Sequence, residues 1–178
     1  AAVEFAIVAI IFFMFVFGVI EVARAMYVVN TLQEVTRRAA RAAANTDYRD
    51  AAALDRVRQY AIFRSSPSTL LLAAPISDEY IRFDYFSIRR GLEGVQTFVA
   101  IPESNLPASP AENRLRCLRD PNDAQCIRLV QARICEPGEG DCVAAPFRSF
   151  RPLVDLSFPV HTAPSLVVAE TLGQTSAA

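Results

Sequence analysis

The first thirty residues, AAVEFAIVAIIFFMFVFGVIEVARAMYVVN, constrain this chain more than any other stretch. From Phe5 to Ile20 there is no charged, amide or hydroxyl side chain. As a helix, that run covers roughly 24 Å at about 1.5 Å per residue, short of a hydrocarbon core of about 30 Å. Val22, Ala23, Ala25, Met26, Val28 and Val29 extend it. Glu21 and Arg24 then fall inside, three apart on one helical face, where they can pair. The reading is a membrane-spanning helix that ends near Tyr27–Val29, with Tyr27 at the interface. One carboxylate, Glu4, stands at the head of the run. A charge in hydrocarbon costs several kcal/mol unless it is paired, so Glu4 marks either the membrane edge or a contact.

The helical pattern continues past the apolar run. Asn30–Ala44, NTLQEVTRRAARAAA, has no Pro or Gly and is rich in helix formers. Leu32, Val35 and Ala39 share one face, which Ala42 and Ala43 extend. Glu34 stands four residues before Arg38, a pairing distance. Break signals arrive at Asn45, Thr46 and Asp47. A single helix therefore begins in the membrane and emerges amphipathic, to pack on a globular domain. We divide the chain into residues 1–45, the N-terminal membrane helix, and 46–178, a globular domain.

Beyond the first thirty residues the composition is that of a soluble domain. The net charge is −1, and all 18 basic residues are Arg, spread along the chain. Nothing there forms a nucleic-acid groove. The cysteines are Cys117, Cys126, Cys135 and Cys142; they contain no CxxC, and the only histidine, His161, is distant. Zinc ligands are usually more tightly paired, so no metal is expected. Two disulfides fit better and place the domain in an oxidising compartment. Three pairings are open. Nearest neighbours, Cys117–Cys126 and Cys135–Cys142, close short loops, each stabilising by roughly 2–4 kcal/mol. The flanks oppose this orientation, because Arg24, Arg37, Arg38 and Arg41 follow the span and nothing basic precedes it. Both signals hold if a basic leader before Ala1 has been removed, which is our expectation.

The remaining segments predict an α+β fold. Asp50–Phe63 is a short amphipathic helix with Ala53, Leu54, Val57, Ala61 and Ile62 as its stripe, capped by Asp47 or Asp50. Tyr80–Ile88 alternates as a half-buried strand, and Val95–Ile101 is its hairpin partner across Gly91 and Gly94. Residues 101–110 are a loop. Leu115–Leu118 and Cys126–Ile134 flank RDPNDAQ as a second hairpin, clasped by Cys117 and Cys126. Glu136–Asp141 is an acidic turn. Leu153–Phe158 and Leu166–Glu170 are two last strands, and the GQTSAA end is expected to fray.

Catalytic chemistry is not evident. His161 sits in a proline-flanked loop, no serine lies in GxSxG, and no glycine loop of phosphate-binding type follows a strand. EPGEGD does not match a calcium loop. We expect no enzyme activity and no cofactor. Phe5, Phe12, Phe13, Phe15 and Phe17 surround the first helix, and Ala2, Ala6 and Ala9 form a small-residue strip that permits close helix approach.

AAVEFA, the F-G-x-I-E turn (Phe17, Gly18, Ile20, Glu21), R-A-x-Y (Arg24–Tyr27) and LQEVTRRAAR before an Ala run carry a resemblance. Together they are similar to the TadE-like family, the minor pilins or pseudopilins of tight adherence (Tad/Flp) pilus systems. The resemblance covers about the first 45 residues. It implies a type IV pilin-like fold, with an inner-membrane anchor and a periplasmic domain that is extracellular once in a pilus. It implies that a prepilin peptidase cuts the precursor and that Glu4 pairs with the amino terminus of a neighbouring subunit. Phe5, Ala6, Phe12, Phe13 and Phe17 would pack in the filament core. In pilins the glutamate is usually fifth after cleavage; here it is fourth. The expected partners are other pilin subunits, the assembly platform and the membrane, with no nucleic acid. The alternative is a permanently anchored scaffold or binding protein that never polymerises.

Overall fold

Ala2–Ala43 form one unbroken helix, α1, of 42 residues. This is a computed structural model, and it describes residues 2–91, 94–138, 140–149, 157–160 and 164–173. The helix ends in a defined cap. Thr46 Oγ1 donates to the Ala42 carbonyl at 2.8 Å. The amides of Glu170 and Leu172 both donate to the Ala44 carbonyl at 3.1 Å, so the C-terminal segment satisfies a group that the helix cannot. That approach requires glycine next in line. Gly173 has φ +81, and a Cβ there would lie 2.5 Å from the Asp47 amide nitrogen.

Ala51–Ala61 form α2, whose Asp50 cap accepts from the Ala53 amide at 3.0 Å. The expected stripe is its inner face: Leu54, Val57, Ala61 and Ile62 are buried. The sheet begins at β1 (Ile81–Arg90), which turns through Gly91 and Gly94 into β2 (Gln96–Ile101). Strands β3 (Leu129–Ile134) and β6 (Ser165–Val168) complete it in the order β2-β1-β3-β6, every pair antiparallel. Between β3 and β6 in sequence, β4 (Ala145–Phe147) and β5 (Phe158–Val160) pair as a separate ribbon. The expected α+β class is what the chain adopts.

The second half of α1 is core. Val28, Leu32, Val35, Ala39 and Ala40 meet Ala61 and Ile62 of α2, Ile81 of β1, Ala132 and Ile134 of β3, and Phe147 and Val160 of the ribbon. Small residues at 39, 40 and 43 let the helix lie close to the sheet. Buried Thr36 accepts from Ser165 Oγ at 3.1 Å and donates to the Gln33 carbonyl at 2.9 Å, as a buried hydroxyl must. Arg38 does not meet Glu34. Its guanidinium lies over the rings of Tyr60 and Phe63, at 4.5 and 4.2 Å, a contact that partial burial makes worthwhile.

A second cluster closes the far end. Tyr48 and Tyr85 rings lie 5.6 Å apart, and the Tyr48 hydroxyl donates to the Pro107 carbonyl at 3.1 Å. Burial pushes the Tyr48 phenol up to about 12 and raises that of Tyr85 as well. The Tyr85 hydroxyl is buried with no hydrogen-bond partner among the described residues.

One segment departs from expectation. Leu115–Leu118 is not a strand but part of a helix, α3 (Pro110–Arg119). Ser109 accepts from the Glu112 amide at 3.2 Å, Pro110 opens the helix, and Glu112 accepts from the Ala108 amide at 3.0 Å and from Arg116. This is a Ser-x-x-Glu cap close to a capping box, except that Glu112 takes the amide of Ala108 rather than that of the Ser109 cap, with proline at the first position. The Arg116 hydrogen bond holds the Glu112 carboxyl below the usual range. The cysteines pair as nearest neighbours, Cys117–Cys126 and Cys135–Cys142. The first bridge ties α3 to the start of the β3 segment rather than clasping a hairpin. The second closes the acidic turn. The expected strand at 153–158 falls outside the described residues except for its end, where Phe158 begins β5. His161 and residues 174–178 also lie outside them.

Candidate functional site

The globular part leaves the first half of α1 bare. Between Ala2 and Ile20 no residue is buried. Phe5 is 76 % exposed and Phe12 59 %; Phe13 is also exposed, and Phe17 half-exposed. An 18-residue window of α1 has a mean hydropathy of 2.8, with none of it buried. The segment is long and apolar enough to cross a membrane. From Ala2 to Ile20 it spans about 28 Å at about 1.5 Å per residue. A helix that is apolar all round needs an apolar surrounding on every side.

The predicted contact residues all lie on this bare segment. Glu4 is exposed in the first turn, where a carboxylate complements the helix dipole. Ala6 is exposed beside it, and Phe5 faces outward. The Phe13 and Phe17 rings stack at 6.2 Å, one turn apart, and Phe12 meets Phe13 edge-on at 5.5 Å. These rings present a continuous aromatic surface rather than a pocket.

The bare segment stops at Glu21, earlier than the sequence reading placed the end of the span. Glu21 is 5 % exposed and Val28 wholly buried, because the domain covers one face of the helix from this turn onward. Val22, Met26 and Tyr27 remain exposed on the other face. Arg24 Nε donates to Glu21 Oε2 at 3.1 Å. Its Nη1 donates to the Leu72 carbonyl at 2.8 Å and its Nη2 to the Arg148 carbonyl. The Phe147 ring lies 4.3 Å from the guanidinium carbon, and Phe158 stacks on Phe147. Glu21 and Arg24 therefore pair as expected, and the base of the domain covers them. An arginine suits this site because its planar fork serves a carboxylate, two carbonyls and a ring together.

Sequence reasoning missed this base. Its parts, Leu72, Phe147 and Arg148, are separated by long stretches of chain. The one local signal was the apolar triplet Leu70–Leu72, set between Pro67 and Pro75. Among the described residues no group of three or more His, Cys, Asp or Glu is placed to hold a metal ion.

Residues 1–41 match the model of a family described as TadE-like protein. No curated protein and no solved structure matches the chain. The matched segment includes the whole bare part of α1, the Glu21–Arg24 junction and the helix face that enters the core. Over residues 1–41 this chain is similar to the TadE-like family, and the likeness rests on that segment alone.

Proposed function

We propose that this chain is a minor pilin or pseudopilin that takes part in the assembly, priming or tip of a Tad-type pilus used in surface adhesion. The role is structural rather than catalytic. The observation that carries the reading is the bare helix: apolar on every side from Phe5 to Ile20, headed by Glu4, and rigidly continuous with the core of the domain. In the membrane, lipid surrounds it. In a filament, the helices of neighbouring subunits replace that lipid, and Phe5, Ala6, Phe12, Phe13 and Phe17 become packing contacts. Glu4 pairs with the amino terminus of a neighbour, which is the partner a carboxylate needs in an apolar surrounding. Upstream processing by a prepilin peptidase, and a domain held in the periplasm where its disulfides form, belong to the same reading.

Pili sheared from cells and purified away from membranes test this. The reading expects the chain in the pilus fraction, at low stoichiometry against the major pilin. Complete retention in the membrane fraction, in cells making normal pili, contradicts incorporation and favours the anchored scaffold.

A further inference from the structure

The base of the domain carries a feature that anchoring by α1 alone does not require. Residues 69–77 form a small reversal beside the helix. Thr69 and Ser77 bridge, the Leu70 amide donates to the Ile76 carbonyl at 2.8 Å, and Leu70, Ala73 and Ile76 are buried beneath it. At its tip Leu71 is 58 % exposed and Leu72 49 %. Leu72 holds φ +60, an unusual conformation for leucine, and Arg24 fixes its carbonyl from α1. The fold therefore rigidly presents two leucines that it does not bury.

Their position gives them an occupant. Leu72 lines an apolar groove of about 500 Å³ together with Phe17, Ile20, Ala23 and Tyr27. Phe17 and Ile20 belong to the last turn of the bare apolar segment, so the groove is continuous with the surface that lipid must cover. Arg24, which holds the tip, lies four residues beyond Ile20, about 6 Å along the axis. That height puts the tip just past the end of the apolar segment, at the level of the headgroup region where interfacial apolar side chains insert. We propose that the Leu71–Leu72 tip is a second membrane contact, seated in the phospholipid interface while α1 spans the bilayer. It sets the height and rotation of the domain on the membrane. The proposal rests on the membrane-anchored reading of α1.

The chain contains no tryptophan, so one introduced indole reports its own surroundings. Full-length Leu71→Trp, Phe12→Trp and Leu115→Trp, each reconstituted in phosphatidylcholine–phosphatidylglycerol vesicles, are compared by fluorescence quenching with lipids brominated at known depths. Leu115 is exposed on α3 and serves as the unburied reference. The proposal expects deep quenching at 12, quenching by shallow bromines at 71 with a blue-shifted emission, and none at 115. Quenching at 12 with none at 71 overturns the proposal and leaves the anchor intact. No quenching at 12 overturns the membrane reading itself. A blue shift at 71 that grows with protein-to-lipid ratio, without quenching, assigns the patch to a second copy and overturns the lipid contact.

Discussion

Arg24 and Tyr85 show opposite sides of the cost of burying polarity. Arg24 serves Glu21, two carbonyls and a ring, so removing it takes all of these contacts out of a covered site at once. Breaking one half of such a pair costs about 3–5 kcal/mol. We expect Arg24→Ala to lower the denaturation midpoint of the domain accordingly, and a change below about 1 kcal/mol would contradict the junction as described. Tyr85 carries a buried hydroxyl without a partner among the described residues. Tyr85→Phe is expected to be neutral or stabilising by about 1 kcal/mol, measured in the same way. Both buried tyrosines also set an alkaline limit. Burial raises their pKa above the unfolded value of about 10. Above pH 10 the unfolded chain loses those protons first, so stability falls as pH rises. Denaturant midpoints at pH 8, 10 and 11 should decline, and Tyr85→Phe should flatten part of the decline. A midpoint independent of pH across that range would contradict the burial of both phenols.

At the scale of elements, the two bridges close loops of 9 and 7 residues. Loop-closure entropy for such lengths is about 2.5 kcal/mol each. Cys135 and Cys142 replaced together by Ser should lower the thermal midpoint while leaving far-UV circular dichroism unchanged. A midpoint as high as that of the unmodified protein would show that the turn needs no bridge. Elements with a strong period were legible from the sequence: α1 by its apolar run, α2 by its stripe, β1 by alternation at Ile81, Phe83 and Tyr85. Leu115–Leu118 was not, because four residues, one of them Cys117, carry too little period to separate strand from helix. The deciding signal lay upstream, in Ser109, Pro110 and Glu112, where a loop rich in Pro and Ser concealed a helix start. The bare apolar half of α1 was equally legible, since its exposure follows from its own composition. The base of the domain was not, because Leu72, Phe147 and Arg148 meet Arg24 only through tertiary folding.

For the whole molecule, the decisive property is one unbroken helix with a bare first half and a second half buried in the domain. The half of α1 beyond Val28 is fixed in the core by Leu32, Val35 and Ala39, while the half before Glu21 touches nothing of the domain on most of its surface. In the proposed role, a move of the helix from lipid to a filament carries the domain with it, because α1 is unbroken from Ala2 to Ala43. The cap at Ala44, closed by Glu170 and Leu172 over Gly173, locks the other end. The most direct test of this account is Glu4→Ala, expressed at the level of the wild type, with the chain quantified in membranes and in sheared pili. The account predicts that the variant stays in the membrane at wild-type level while its amount in pili falls at least tenfold, or pili are lost. Undiminished incorporation into normal pili would contradict it, and would reduce Glu4 to a marker of the membrane edge.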